Sequence, residues 1–250
     1  QNGYQLLKIF NWSDTMSNII IRGLRRLKND PKSLWIHLFR TSIGKLFPDP
    51  VYLQIMNHVY MQKPLNLKNP QTFNEKIQWL KLHDRKKEYT KMVDKYTAKK
   101  HVASIIGSKH IIPTLGVWDK FDDIDFEKLP QQFVLKCTHD SGGLIICRDK
   151  SKLNIDEARR KINACLKQRY YWIAREWPYK NVKPRIIAEQ YMEVEGDLEL
   201  TDYKWFCFNG EPQFLYISHG LANHETATID FYDINHRRMP FKRTDYKSST

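Results

Sequence analysis

At 250 residues, with 41% hydrophobic and 28% charged content, the chain is long enough to bury a real core and too apolar for a disordered polymer. A formal charge of +13 implies an acidic partner, whether nucleotide, nucleic acid, anionic glycan or membrane surface, and does not choose among them. No apolar run is long enough to span a bilayer and no signal peptide is expected at the start. Cys137, Cys147, Cys165 and Cys207 lie far apart without a CxxC pair and read as buried free thiols of a reducing compartment. The expected location is cytoplasmic, with the inner face of the membrane as a variant.

Residues 15–28 read as an amphipathic helix, with Met16, Ile19, Ile20, Leu24 and Leu27 on one side and Arg22, Arg25, Arg26 and Lys28 around the other. Such a helix either packs with a solvated basic face or makes a peripheral contact with an anionic membrane. A short helix is expected over 31–41, opened by Pro31, and another over 51–60. Thr72-Phe73-Asn74-Glu75 is a capping box, and the helix it starts is expected to turn Ile77, Trp79 and Leu80 inward and to stop near His83-Asp84. A second basic helix is expected over 94–106, closed by Gly107. Residues 111–118 read as extended, and 119–130 as an acidic connector.

The run Phe133-Val134-Leu135-Lys136-Cys137-Thr138-His139-Asp140-Ser141-Gly142-Gly143-Leu144-Ile145-Ile146-Cys147 predicts a β-hairpin with a glycine-rich tip. An unpaired charge in such a strand is expensive. Lys136 therefore reads in two ways: as a lysine on the wet face of an edge strand, or as one aimed at a phosphate beneath a loop whose backbone amides close over it. Neither P-loop nor dinucleotide spacing is present. A helix follows from Asn154 to about Tyr170, packed on the hairpin, and then an aromatic stretch broken by Pro178. Residues 185–192 predict a strand leading into an acidic turn around Gly196. Strands over 203–208 and 212–218 flank Asn209-Gly210, a hairpin turn signal, and a further strand is expected over 226–232.

This order resembles the ATP-grasp superfamily, and its wording resembles the TupA-like branch, named after a teichuronopeptide biosynthesis protein. Members are often encoded with polysaccharide or capsule genes and labelled glycosyltransferases. The matching text is Thr72-Phe73-Asn74-Glu75-Lys76, Asp94-Lys95-Tyr96, Phe133-Val134-Leu135-Lys136-Cys137, Ser141-Gly142-Gly143, Ile187-Ala188-Glu189-Gln190-Tyr191 and Asp202-Tyr203-Lys204-Trp205-Phe206-Cys207-Phe208-Asn209-Gly210, across about residues 70 to 235. The resemblance implies an α+β, ATP-grasp-like fold: a helical N-terminal region followed by antiparallel sheets with packed helices, the second subdomain incomplete. The expected regions are a helical part at 1–70, a pre-ATP-grasp part at 71–130, a first subdomain at 131–191 and the start of a second at 192–250.

It also implies ATP and Mg2+ as cofactors. By position, Lys95 and Lys136 would bind phosphates, and Ser141, Gly142 and Gly143 would cover them. Backbone groups of Glu189, Gln190 and Tyr191 would read adenine, Glu195 or Asp197 the ribose, and Lys204 would face the phosphates, with Lys136 and Lys204 as the catalytic pair. Concentrated negative charge needs fixed donors and cations, so the residue types suit the task. The other reading of Glu189 is a strand-edge surface acid, and of Lys95 one more lysine in a basic helix.

The magnesium phrases the resemblance implies, an Arg-Val-Asp strand and then a glycine-rich strand with a Glu, do not occur up to Thr250. Asp230 and Asp233 are available acids in text that matches the region upstream of those ligands, so no magnesium ligand is assigned. The chain is expected to be a fragment, a truncation or a catalytically reduced relative. The leading functional expectation is an ATP-dependent ligase or transferase of surface polysaccharide biosynthesis that activates an acceptor carboxylate as an acylphosphate, the partner being an anionic small molecule or glycan. Glycosyl transfer is the alternative in the label. A non-enzymatic binding protein for nucleic acid, anionic glycan or membrane is the third, although no specific nucleic-acid motif is present.

Overall fold

The computed structural model describes Ile36, Phe39 and residues 42–140, 142–193, 200–221 and 225–249. The readings at 15–28, at Ser141, Glu195 and Asp197, and most of 31–41, lie outside the described residues. The chain divides into two compact units, one up to Glu189 and one from Gln190. The architecture is α+β, with helices followed by antiparallel sheets.

In the first unit, α1 (Asp49–Met61) opens with Pro50 in its first turn, where a missing amide hydrogen costs nothing. Its buried Tyr52, Leu53 and Met56 form a small core with Leu65, against which Phe39, Phe47, Leu67 and Leu82 pack. α2 (Phe73–His83) is opened by the capping box: Thr72 accepts from the Glu75 amide, and the Glu75 carboxylate accepts from Thr72 N at 2.9 Å and Gln71 N at 3.0 Å. Those backbone donors, that of Thr72 first, hold the Glu75 carboxyl down at about 2. Ile77 and Leu80 do not turn inward as expected; they are 37% and 41% exposed. Asn74, Gln78 and Lys81 instead line a cavity shared with α1, so the inward stripe of α2 is polar and the apolar text flanks it.

A helix absent from the sequence reading, α3 (Lys87–Val93), precedes α4 (Lys95–Ile106). Asp94 caps α4 by accepting from Tyr96 N at 3.0 Å, and Gly107, at φ +91°, ends it in a conformation that favours glycine. The four-stranded sheet has the order β1 (Thr114–Trp118), β4 (Ile186–Gln190), β2 (Phe133–Cys137), β3 (Leu144–Cys147). β2 and β3 pair antiparallel, with Lys136 opposite Leu144. β2 is thus an interior strand, which corrects the edge-strand reading of Lys136. After β3, α5 (Ile155–Leu166) is capped by Asn154 and lays Ala158, Ile162 and Cys165, one stripe at helical spacing, onto Phe133, Leu135 and Cys137. It ends four residues sooner than expected. The connector at 119–130 is more than acidic: Phe121, Ile124 and Leu129 are buried in the same core, and the Lys150 ammonium clamps the carbonyls of Phe126 (3.0 Å) and Leu129 (2.9 Å).

The aromatic stretch becomes α6 (Tyr171–Ala174) and ends on Arg175, whose φ is +55° and whose side chain is fully buried. Its guanidinium donates to Gly44 O at 2.5 Å, lies 3.4 Å from Asp49 and stacks over Tyr52 at 4.2 Å and Trp172 at 4.6 Å. Tyr171 donates to both Asp49 oxygens at 2.7 Å, and burial and that carboxylate push its hydroxyl up to about 12.

The second unit is an antiparallel sheet of β5 (Asp202–Phe208), β6 (Glu211–His219) and β7 (Thr228–Asp233). Asn209 and Gly210 both have positive φ, 51° and 84°, as a two-residue hairpin of matching twist needs. Phe206 and Phe214 stack at 4.4 Å, with Tyr216, Phe231 and Phe241 around them. All four cysteines are free thiols; Cys207, expected to be buried, is exposed because it faces away from this ring cluster. Among the described residues no helix is long and apolar enough to cross a membrane.

Candidate functional site

The end of β2, the end of β4 and the first turns of α4 converge on a cluster of lysines around one carboxylate. β4 is interior, and Ile186, Ile187 and Ala188 are fully buried before Glu189, which is 6% exposed. That overturns the surface-acid reading of Glu189. Its carboxylate receives Lys99 at 2.6 Å and Lys136 at 2.6 Å, one lysine on each oxygen. Burial opposes ionisation, but the bonds from Lys136 and Lys99 outweigh it and hold the carboxyl below its usual range. Two ammonium groups on one carboxylate leave net positive charge, and Lys136 remains 31% exposed while Glu189 is nearly closed off.

Lys95 lies one turn before Lys99 on the same face of α4. It donates to Cys137 O at 3.0 Å and, at very short range, to Asp140 O, so its ammonium props the glycine turn from beneath. Burial lowers its basicity, and the nearby Lys136 adds to this while Asp140 opposes it. Asp94, the helix cap, also takes Arg185 at 2.6 Å, which ties α4 to the start of β4. Lys95 N donates to Thr138 O at 3.1 Å and Thr138 N to Arg185 O at 2.9 Å, closing the same corner through the backbone.

The turn itself is folded inward. Gly143 O accepts from Cys137 N at 2.8 Å, and the amides of Gly142 and Gly143 donate to the Asp140 carboxylate, the latter at 3.3 Å. Burial works against that carboxylate, but hydrogen bonds from the Cys165 thiol and these two amides hold it below the ordinary carboxylate range. The turn therefore cradles an anion, supplied by its own side chain. Glycine at 143 is a packing requirement: a Cβ there would lie 2.5 Å from Cys137 Sγ and 2.6 Å from Cys165 Sγ.

Of the residues singled out from sequence, Lys95, Lys136, Gly142, Gly143 and Glu189 come together in the first unit. Gln190 closes β4 as an exposed residue and Tyr191 follows it half-buried. Lys204, on β5 of the second unit, lies 3.4 Å from Asp202 and 5.3 Å from the Tyr216 ring. Ser141, Glu195 and Asp197 are outside the described residues. Sequence reasoning missed Lys99 and Arg185. The spacing of Lys99 from Lys95, one helical turn, was the available signal; for Arg185 there was none.

A family model for TupA-like ATPgrasp matches residues 75–249. The chain belongs to the TupA-like ATP-grasp family. No curated protein and no solved structure matches it. The match includes every element of the lysine cluster, and family membership carries ATP binding and a general ATP-dependent, ligase-like role. The lysine donors fit a triphosphate. The acids do not fit magnesium equally well. Asp230 spends one oxygen on Arg238 and the other on Ser249 N at 2.9 Å, and Asp233 accepts from Asn235 N and Arg237 N at 2.8 Å. Both carboxylates are thus engaged within the β7 corner.

Proposed function

We propose that the lysine cluster binds the phosphates of ATP and that the protein activates a carboxylate on an anionic acceptor, glycan or small molecule, in surface polysaccharide biosynthesis on the cytoplasmic side. Lys136 and Lys99 are the direct phosphate donors. Lys95 and the amides of Gly142 and Gly143 shape the turn above them. In the reaction the acceptor carboxylate oxygen attacks the γ-phosphorus and the bond to the β-bridging oxygen breaks. ADP leaves and an acylphosphate forms. An amine then attacks the acyl carbon, phosphate departs and the amine proton goes to solvent, which leaves an amide. Fixed ammonium groups offset the charge that accumulates on the transferring phosphoryl group.

The observation that supports this most is the pair of lysines held on the one buried carboxylate of Glu189. A buried acid there holds both cations in place and leaves them one positive charge in excess, the arrangement an incoming phosphate needs. Trapping with hydroxylamine tests it. A panel of uronic-acid acceptors with ATP should yield a hydroxamate with stoichiometric ADP, and Lys136→Ala should abolish it. Sugar transfer from a nucleotide sugar without ADP formation from ATP would refute the ligase reading in favour of glycosyl transfer.

A further inference from the structure

Directly beneath the glycine turn, His139, Asp140 and Cys165 offer a nitrogen, a carboxylate oxygen and a sulfur that all lie within 4.8 Å of one another, and all three residues are buried. The tautomer of His139 follows from its partners. Nε2 sits 3.2 Å from two acceptors, the carbonyls of Cys165 and Gln168, so it carries the hydrogen and donates. Nδ1 is then the bare lone pair, and it is buried with no hydrogen-bond partner among the described residues, on a side chain 2% exposed. An orphaned acceptor at that depth is costly unless something occupies it. Cys137 Sγ adds a fourth donor: it and Cys165 Sγ crowd the same point above Gly143, and the two thiols are hydrogen-bonded to each other.

We infer that His139 Nδ1, Asp140, Cys165 Sγ and Cys137 Sγ form a tetrahedral site for a borderline-soft divalent cation of the zinc class. Two sulfurs, one imidazole and one carboxylate are a donor set that zinc accepts and magnesium does not. Ligand atoms around such an ion stand roughly 3.3–3.8 Å apart given its bond lengths, so the three donors within 4.8 Å of one another draw together on binding, and Cys137 Sγ, outside that group, moves in from beside Cys165. The outer contacts are in place: two carbonyls fix the imidazole tautomer, and the Gly142 and Gly143 amides hold one Asp140 oxygen, leaving the other for the ion. Both thiols release their protons to solvent as the sulfurs bind. Two thiolates and a carboxylate then face a dication and the Lys95 ammonium, which already rests on the carbonyls of Cys137 and Asp140, so the charges balance. The ion ties the turn to α5 and is structural, distinct from any nucleotide-bound metal.

The 250-residue chain, reduced and stripped of metal, is titrated with Zn2+ against a chromophoric chelator and, separately, with Co2+ by absorption. One equivalent should bind, with a thiolate-to-cobalt charge-transfer band and a higher melting temperature. Cys165→Ser and Cys137→Ser should each weaken Zn2+ by at least about tenfold and diminish that band, whereas Cys147→Ser, a buried thiol bonded elsewhere to Gln131 O, should leave both unchanged. Should the serine variants not fold, zinc-edge X-ray absorption on the unaltered protein decides: two sulfur and two lighter neighbours support the site. A sulfur-free shell, binding well below one equivalent, or unaltered binding in both serine variants overturns it.

Discussion

Lys136 Nζ stands 2.6 Å from Glu189, joining β2 to the neighbouring β4 at the end of the sheet where the glycine turn begins. The pairing answers how a lysine is tolerated among Phe133, Leu135 and Cys137. Its stem lies along a buried strand while its head is neutralised at one side and open at the other.

Lys136→Ala should weaken ATP binding by tenfold or more, since loss of a charged donor to phosphate costs about 1.5–3 kcal/mol. Lys128, 84% exposed and paired to Asp125 on the surface, is the control and should change affinity less than about twofold when replaced by alanine. Calorimetric titration with a non-hydrolysable ATP analogue reads both. Equal affinities would remove Lys136 from the phosphate site.

Glu189→Gln should cost stability, on the order of 1–3 kcal/mol, because it removes the counter-charge of the mostly buried Lys99 and of the partly open Lys136. The native carboxyl titrates below its unfolded value, so its contribution is complete above the unfolded range near pH 4.3 and is lost as pH falls through the folded pKa. Denaturant melts across pH 2.5 to 7 should therefore show a gap between wild type and variant that closes toward the acid end. A gap that does not change with pH would contradict the ion-pair account.

Gly143→Ala and Gly142→Ala should part company. A methyl at 143 meets two sulfurs at 2.5 and 2.6 Å, and overpacking of this kind costs roughly 1–3 kcal/mol. At 142 the nearest atom is an Asp140 oxygen at 3.5 Å, an ordinary contact. Thermal melts should show a lowered midpoint for the first variant only.

Arg175→Ala should be among the most destabilising single changes in the first unit, roughly 2–5 kcal/mol, since it empties a fully buried site between Tyr52 and Trp172 and leaves Gly44 O without its donor, although Asp49 keeps Arg85 and Tyr171. Arg175→Lys should recover little, because an ammonium cannot stack between the rings while reaching Gly44 O. Urea midpoints for the two variants within error of wild type would show the arginine to be dispensable.

The hairpin was legible in the sequence because alternation in Phe133-Val134-Leu135 and two glycines at the tip speak for themselves locally, and α5 because its cap and its Ala158, Ile162, Cys165 stripe are local too. α3 was not, since Lys86 supplies no side-chain cap and none of its seven residues is buried. The misjudged face of α2 has the same root: periodicity marks a stripe as apolar, while the side that meets α1 is chosen by tertiary packing. In the candidate site, Lys95, Lys136 and Glu189 could be picked out from motif wording. The joining of Lys99 to Glu189 spans 90 positions and is decided by where α4 lands on the sheet.

The contact between Arg175 and Gly44 crosses 131 positions of chain, and Tyr52 reaches Ile173 across 121. On a ribosome moving at about 5–20 residues per second, α1 therefore waits on the order of ten seconds before the segment that fastens it has been made. Throughout that delay the Tyr52 hydroxyl lacks its acceptor and Asp49 holds Arg85 but neither Tyr171 nor Arg175, so the nascent chain presents a partly fastened helix to proteases and chaperones. Arrested chains that stop short of Arg175 should be cut within 49–61, and chains extended well past it should resist.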